Sequence, residues 1–189
     1  MYAIALSLLI ILAQGLTGCA YSFGLSHRSL PGGYTQLDIP VFKNKTQEVG
    51  IEPLFTNALI RRFERSQAAQ VTDKNAAPIT LEGVINLVTY TQVSVTDDSK
   101  LTYLPQKTVL ATAYQVTVSA VLLLRRKSDE RVIWQGTFNE DKVYQAPQIG
   151  TALVNSADST YNQSARMHTI GLMAEDMMAE AHDRITENY

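Results

Sequence analysis

The sequence predicts an α+β fold: a two-layer sandwich with two helices packed on one face of a mostly antiparallel four-stranded sheet. Three observations carry this. A short alternating run is followed by an amphipathic helical stripe, three long runs rich in β-branched residues come next, and the chain closes on a second amphipathic stripe. Two apolar stripes and one sheet can bury their apolar surface only against each other.

The elements follow in order. Tyr34 to Phe42 alternates, with Leu37, Ile39 and Val41 on one side and Gln36 and Asp38 on the other, which reads as a half-buried strand. Lys43 to Gly50 is a polar turn. Ile51, Leu54, Phe55, Ala58, Leu59 and Phe63 recur at helical spacing and make one stripe, with Pro53 in the tolerant first turn. Arg61, Arg62 and Arg65 fall off that stripe. Gln67 to Pro78 is a connector with a short extended piece near Val71. Ile79 to Thr96 is a strand with Leu81, Ile85 and Leu87 facing one way, and residues 97–107 form a loop. Residues 109–126 alternate most clearly. Tyr114, Val116, Val118, Ala120, Leu122 and Leu124 oppose Gln115, Thr117 and Ser119. A charged turn leads to a fourth strand through Val132, Trp134, Gly136 and Phe138. Short polar links between these runs predict antiparallel hairpins. After a loop over 145–158, Ser159 is the candidate N-cap of a last helix. Its inner face is Ile170, Met173, Ala174, Met177, Met178, Ala181 and Ile185.

The N-terminus has a different logic. Ala3 to Leu12 is an apolar run of signal-peptide length, too short to span a bilayer comfortably. Leu16-Thr17-Gly18-Cys19 follows, and it resembles the bacterial lipobox. Two small residues fit an extended chain into a protease cleft, and the Cys19 thiol is the nucleophile for a diacylglyceryl thioether. Cys19 is the only cysteine, so neither an internal disulfide nor a cysteine metal site is open to the chain. The reading is a signal peptide over 1–18, a lipidated tether over 19–33 rich in Ser, Gly and Pro, and a single domain over 34–189. Diacylglyceryl and N-acyl chains on Cys19, two or more together, suffice for stable anchoring. Ala20 stands where Asp favours retention at the inner membrane, so the address resembles the outer membrane. Met1-Tyr2 lacks the Lys or Arg that such signals usually carry, which places the start codon upstream or leaves the charge to the terminal amine.

Composition bounds the chemistry. The 189 residues carry a net charge of −2, 46% hydrophobic and 18% charged residues, so no overall basic field points to nucleic acid. His27, His168 and His182 cannot share a metal: the last two stand about 21 Å apart along one helix. No nucleophile elbow, phosphate loop, zinc-protease or dinucleotide fingerprint occurs, and the expectation is a non-enzyme without cofactor. One constellation stands out. Arg125, Arg126 and Lys127 form a cationic hairpin tip, partly offset by Asp129 and Glu130. The plain reading is a solvated turn that blocks edge pairing. The functional one is an anion contact through forked guanidinium donors, with phosphate as the target. Arg61, Arg62 and Arg65 are a second candidate of the same kind.

Several stretches together resemble the lipopolysaccharide-assembly lipoprotein family LptE. They are Cys19-Ala20-Tyr21-Ser22-Phe23, then Leu37-Asp38-Ile39-Pro40-Val41-Phe42-Lys43-Asn44-Lys45-Thr46, then Gly50-Ile51-Glu52 running into Leu54-Phe55-Thr56-Asn57-Ala58-Leu59. In that family a Cys-Gly-Tyr-x-Phe-like start precedes a strand ending Val-Pro-x-Phe-x-Asn-x-Thr and a helix with Leu-Thr-x-Ala-Leu. Here Ala20 replaces the common Gly, and Ile39 and Phe55 stand where Val and Leu are frequent. The resemblance implies an outer-membrane lipoprotein of helix-on-sheet fold that plugs and helps assemble the β-barrel translocon LptD while lipopolysaccharide enters the outer leaflet. It further implies basic residues that meet lipopolysaccharide phosphates, a role for which Arg125, Arg126 and Lys127 are the candidates. The competing reading is a lipoprotein activator of a peptidoglycan synthase, a class that shares the strand with Phe-x-Asn-x-Thr-like residues and the following helix. The late long helix and the lack of β/α alternation favour the translocon.

Overall fold

The computed structural model describes residues 28–96, 110–145 and 159–187. Its elements are β1 (Gln36–Leu37), β2 (Lys43–Asn44), α1 (Glu52–Ser66), β3 (Gln70–Val71), β4 (Ile79–Thr96), β5 (Leu110–Arg126), β6 (Val132–Gln145) and α2 (Ser159–Thr186). The fold is α+β. β4, β5 and β6 form a long antiparallel meander, and both helices contribute to one buried core against its inner face. That core holds Leu81, Ile85, Val116, Val118, Ala120, Leu122, Leu124 and Phe138 from the sheet. Facing them are Phe55, Leu59 and Phe63 of α1 and Met173, Met177, Met178 and Ile185 of α2. Both helical stripes are buried as their spacing predicts, with Leu54 at the margin.

The sheet, in the order β2-β4-β5-β6, is mostly antiparallel as expected, with the short β2 as its one parallel member. β2 lies parallel to β4, with Lys43 opposite Val84 and Asn44 opposite Ile85. The reason is topological. A strand that reaches the next through a helix returns in the same direction, whereas only short links turn the chain back. β1 pairs parallel with β3, so a small second sheet sits beside the main one.

The first strand is also not continuous. Its alternation breaks after Ile39: Val41 is 65% exposed while Phe42 is turned in and buried. Pro40 lacks a ladder N–H. The backbone N–H of Phe42 donates instead to Thr56 Oγ1 of α1 (3.0 Å), whose own hydroxyl donates to the Glu52 carbonyl (2.7 Å). Leu87, expected on the inner face, is 46% exposed because a bulge between Ile85 and Leu87 shifts the register and turns Val88 and Tyr90 toward the core. The end of the tether is packed as well. Leu30 is buried in the core, and the Gly33 N–H closes a turn on its carbonyl (2.9 Å). Cys19, His27 and the loops predicted over 97–107 and 145–158 lie outside the described residues, apart from Gln145, which ends β6.

The polar turn after β2 is built by one asparagine. Asn44 Oδ1 accepts from the Thr46 N–H and hydroxyl (2.9 and 2.7 Å), and its Nδ2 donates to the Glu48 carbonyl and Glu52 Oε1 (2.6 and 3.0 Å). The Asn-x-Thr of the sequence is therefore a loop clip that aims the chain into α1. Gln67, with φ +54°, ends α1 by donating its N–H to the Phe63 carbonyl (2.9 Å).

Candidate functional site

The turn between β5 and β6 puts the three candidate cations at one end of the sheet, but it does not leave them free. Arg125 Nη1 donates to the Glu130 carbonyl (2.7 Å), and its Nε stands 3.9 Å from carboxylate oxygens of both Glu82 and Glu130. Lys127 donates to the Lys74 carbonyl and lies 3.9 Å from Asp38, while its backbone N–H is held by the Pro78 carbonyl (3.0 Å). Arg126 turns aside. Its Nε meets Asp129 (3.0 Å), and the hydrogen bonds with Asp129 and Tyr34 raise its pKa above the usual guanidinium value.

Arg125 and Lys127 share a groove of about 400 Å³ that the sequence did not reveal. Lys43 from β2 and Lys74 from the β3–β4 connection complete its cationic lining, and Asp38, Glu82 and Glu130 supply the carboxylates. Four cations against three anions leave a small positive excess, and Pro40 and the exposed Val41 give the groove an apolar lip. Lys43 and Lys74 lie far from the hairpin in sequence; only the parallel pairing of β2 with β4 and the loop after β3 bring them there. Beside the groove, the uncovered sheet face carries Val84 opposite Val121, with Leu123 opposite Glu82. Further along it becomes polar through Thr117, Ser119 and Gln115, the last donating to Asp141 Oδ2 (2.9 Å).

The second candidate cluster is split. Arg61 pairs with Glu175 of α2. Arg62 and Arg65 instead border a pocket of about 210 Å³ with Arg28 and Ser66. Behind it, the fully buried His182 is held between the helices. Its Nδ1 lies 3.1 Å from Asp183 and its Nε2 lies 2.7 Å from Ser66 Oγ, with the Phe63 ring edge-on at 4.9 Å. Asp183 fixes the proton on Nδ1, so Nε2 accepts from Ser66. Burial pushes the imidazole below its ordinary pKa, and Asp183 offsets only part of that. Ser66 Oγ in turn accepts from the Ala68 N–H (3.3 Å), so the relay closes the end of α1 onto α2.

At the opposite end, Tyr90 donates to Glu48 (2.6 Å), and Arg166 of α2 reaches the same carboxylate (3.2 Å) while its guanidinium lies 5.4 Å above the Tyr90 ring. Burial and then the Glu48 carboxylate hold the Tyr90 phenol far above its usual pKa. No periodicity in the sequence marks these residues, because only the bulge in β4 turns Tyr90 inward. Among the described residues no cluster of His, Cys, Asp and Glu could hold a metal ion, and no helix is long and apolar enough to cross a membrane.

A broad strand face lies uncovered beside a charged groove, on a two-layer α+β domain whose helices seal only the other side. The chain belongs to the LptE lipopolysaccharide-assembly family, whose sequence model matches residues 34–187, and its role lies in lipopolysaccharide assembly. No curated protein matches it significantly. Among solved structures it is similar to the PelC dodecamer of Paraburkholderia phytofirmans (11% identity, 82% of this chain and 90% of that one, TM-score 0.49). It is also similar to rare lipoprotein B of Shewanella oneidensis (14%, 79% and 89%, TM-score 0.41) and to lipoprotein B of Nitrosomonas europaea (11%, 84% and 83%, TM-score 0.45). Likenesses this distant carry no functional argument, and the family assignment rests on the match over 34–187.

Proposed function

We propose that this protein is an outer-membrane lipoprotein, acylated at Cys19, that plugs and helps assemble an LptD-like β-barrel while lipopolysaccharide is inserted into the outer leaflet. It acts by binding and has no catalytic step. The observation that carries this reading is the family match across essentially the whole folded domain. The open sheet face supports it, because Gln115, Thr117 and Ser119 suit the wet lumen of a large barrel. Within this reading Arg125 and Lys127, joined by Lys43 and Lys74, are the lipopolysaccharide phosphate contacts, and the Val84, Val121 and Leu123 strip offers apolar surface to the same amphipathic ligand. Arg126, the third cation expected from the sequence, pairs with Asp129 and stands outside the lining of this groove.

The test is co-purification from detergent-solubilised membranes. A large barrel protein recovered in equal amount supports the reading, and its absence sinks it. Depletion should remove surface lipopolysaccharide and leave the barrel misassembled. Cell-wall lysis with intact lipopolysaccharide would favour the peptidoglycan-synthase activator instead.

A further inference from the structure

Arg28, Arg62, Arg65 and Ser66 border a pocket at the end of the domain where the chain enters from Cys19. Three arginines line it, and two of them share the carboxylate of Asp183, 2.6 Å from Arg28 and 3.4 Å from Arg62. Burial works to raise that carboxyl's pKa, but its bonds to His182 and Arg28 and the charges of Arg28 and Arg62 outweigh it and keep it ionised. Asp183 is thus already shared between an imidazole and two arginines. Arg62 Nε is buried with no partner, and among the described residues Arg65 has none either. Glu64 faces away, into a different groove with Gln67 and Val71.

The charge balance favours a singly charged anion. Both helices end near this pocket, and their carbonyl termini contribute about half a negative charge each. With Asp183 they leave about one positive charge from the three arginines. Forked guanidinium donors with unfilled N–H groups match the paired oxygens of a phosphodiester.

Position names the source. Between Cys19 and Arg28 the chain spans at most about 30 Å when fully extended, so this end of the domain cannot leave the neighbourhood of the anchoring bilayer. We propose that the Arg28–Arg62–Arg65 pocket binds the phosphodiester headgroup of an anionic phospholipid in that bilayer and seats this end of the domain on the membrane. The proposal rests on the acylation of Cys19.

The test uses the full-length protein, purified from bacterial membranes and placed in nanodiscs of phosphatidylcholine alone or of equal parts phosphatidylcholine and phosphatidylglycerol. Arginine modification by phenylglyoxal, mapped by peptide mass, reads each side chain. Arg184, exposed and paired with Glu180, is the internal control. Phosphatidylglycerol should slow modification of Arg62 and Arg65 by about fivefold, the scale of one basic residue at an anionic surface. In an Arg28→Gln/Arg62→Gln variant of unchanged circular dichroism, the protection of Arg65 should vanish. Equal rates in the two lipids overturn the proposal. So does equal protection by inorganic phosphate in detergent, which would mark a site indifferent to lipid, or protection by lipopolysaccharide but not by phosphatidylglycerol. Intact mass of the same sample reads the acyl chains on Cys19 separately, so a failed anchor and a failed pocket give different results.

Discussion

Gly83, the fifth residue of β4, lets one aromatic ring pass. A Cβ at this position would stand 2.3 Å from Cε2 and Cζ of Phe42. Carbon atoms rest about 3.5–4.0 Å apart, so in Gly83→Ala the ring must retreat by about 1 Å or more. It has little room to do so. Phe42 is 2% exposed, stacks on Phe55 with centroids 6.2 Å apart, and is tied at its backbone to Thr56. Overpacking of this kind costs about 1–3 kcal/mol. At about 2–4 °C per kcal/mol for a chain of this size, the midpoint of thermal unfolding should fall by about 2–12 °C. Removing the ring should remove the penalty. In a Phe42→Ala background, itself about 3–5 kcal/mol less stable, the added methyl meets no ring and should be neutral or stabilising, since alanine is the better strand residue by about 0.5–1 kcal/mol. Thermal unfolding of the four proteins of this cycle gives the coupling directly. If Gly83→Ala shifts the midpoint equally with and without Phe42, or does not shift it at all, the close passage of ring over backbone is not what glycine serves here.

Three further outcomes are expected. His182 resists a proton that the unfolded chain accepts near its ordinary pKa of 6.5, so stability should decline as pH drops below about 6.5, and His182→Gln should flatten the decline seen by thermal unfolding. The depressed carboxyl of Asp183 adds a loss in the same direction, but only at pH below its ordinary 3.8. Tyr90→Phe removes a hydrogen bond to the Glu48 carboxylate and should lower stability by about 1.5 kcal/mol in urea denaturation, and it should remove the most alkaline step from the ultraviolet titration of the tyrosines. Met177→Ala, at a fully buried position of α2, should cost about 2–5 kcal/mol, while Leu172→Ala on the same helix, 47% exposed, should change the urea midpoint little.

The sequence by itself determined the local elements and the inner faces of both helices and of β5. Every apolar position named on α2 is buried, and β5 alternates across the sheet as its residues prescribe, because periods of 3.6 and 2 are properties of the regular backbone. The motif that carried the family resemblance has local causes too: Asn44 clips the turn, and Thr56 takes the Phe42 N–H. What only the tertiary structure decided was everything set by register and by crossing. The bulge after Ile85 turned Leu87 out and Tyr90 in, and the helical crossover made β2 parallel and so carried Lys43 to the hairpin groove. Packing of α1 against α2 gave Arg61 to Glu175 and left Arg62 and Arg65 to a pocket with Arg28. Charged side chains have no period to read. Apart from local pairs such as Arg126 with Asp129, which cations are neutralised depends on partners brought together over long stretches of chain, as Arg61 with Glu175 and Arg62 with Asp183 show.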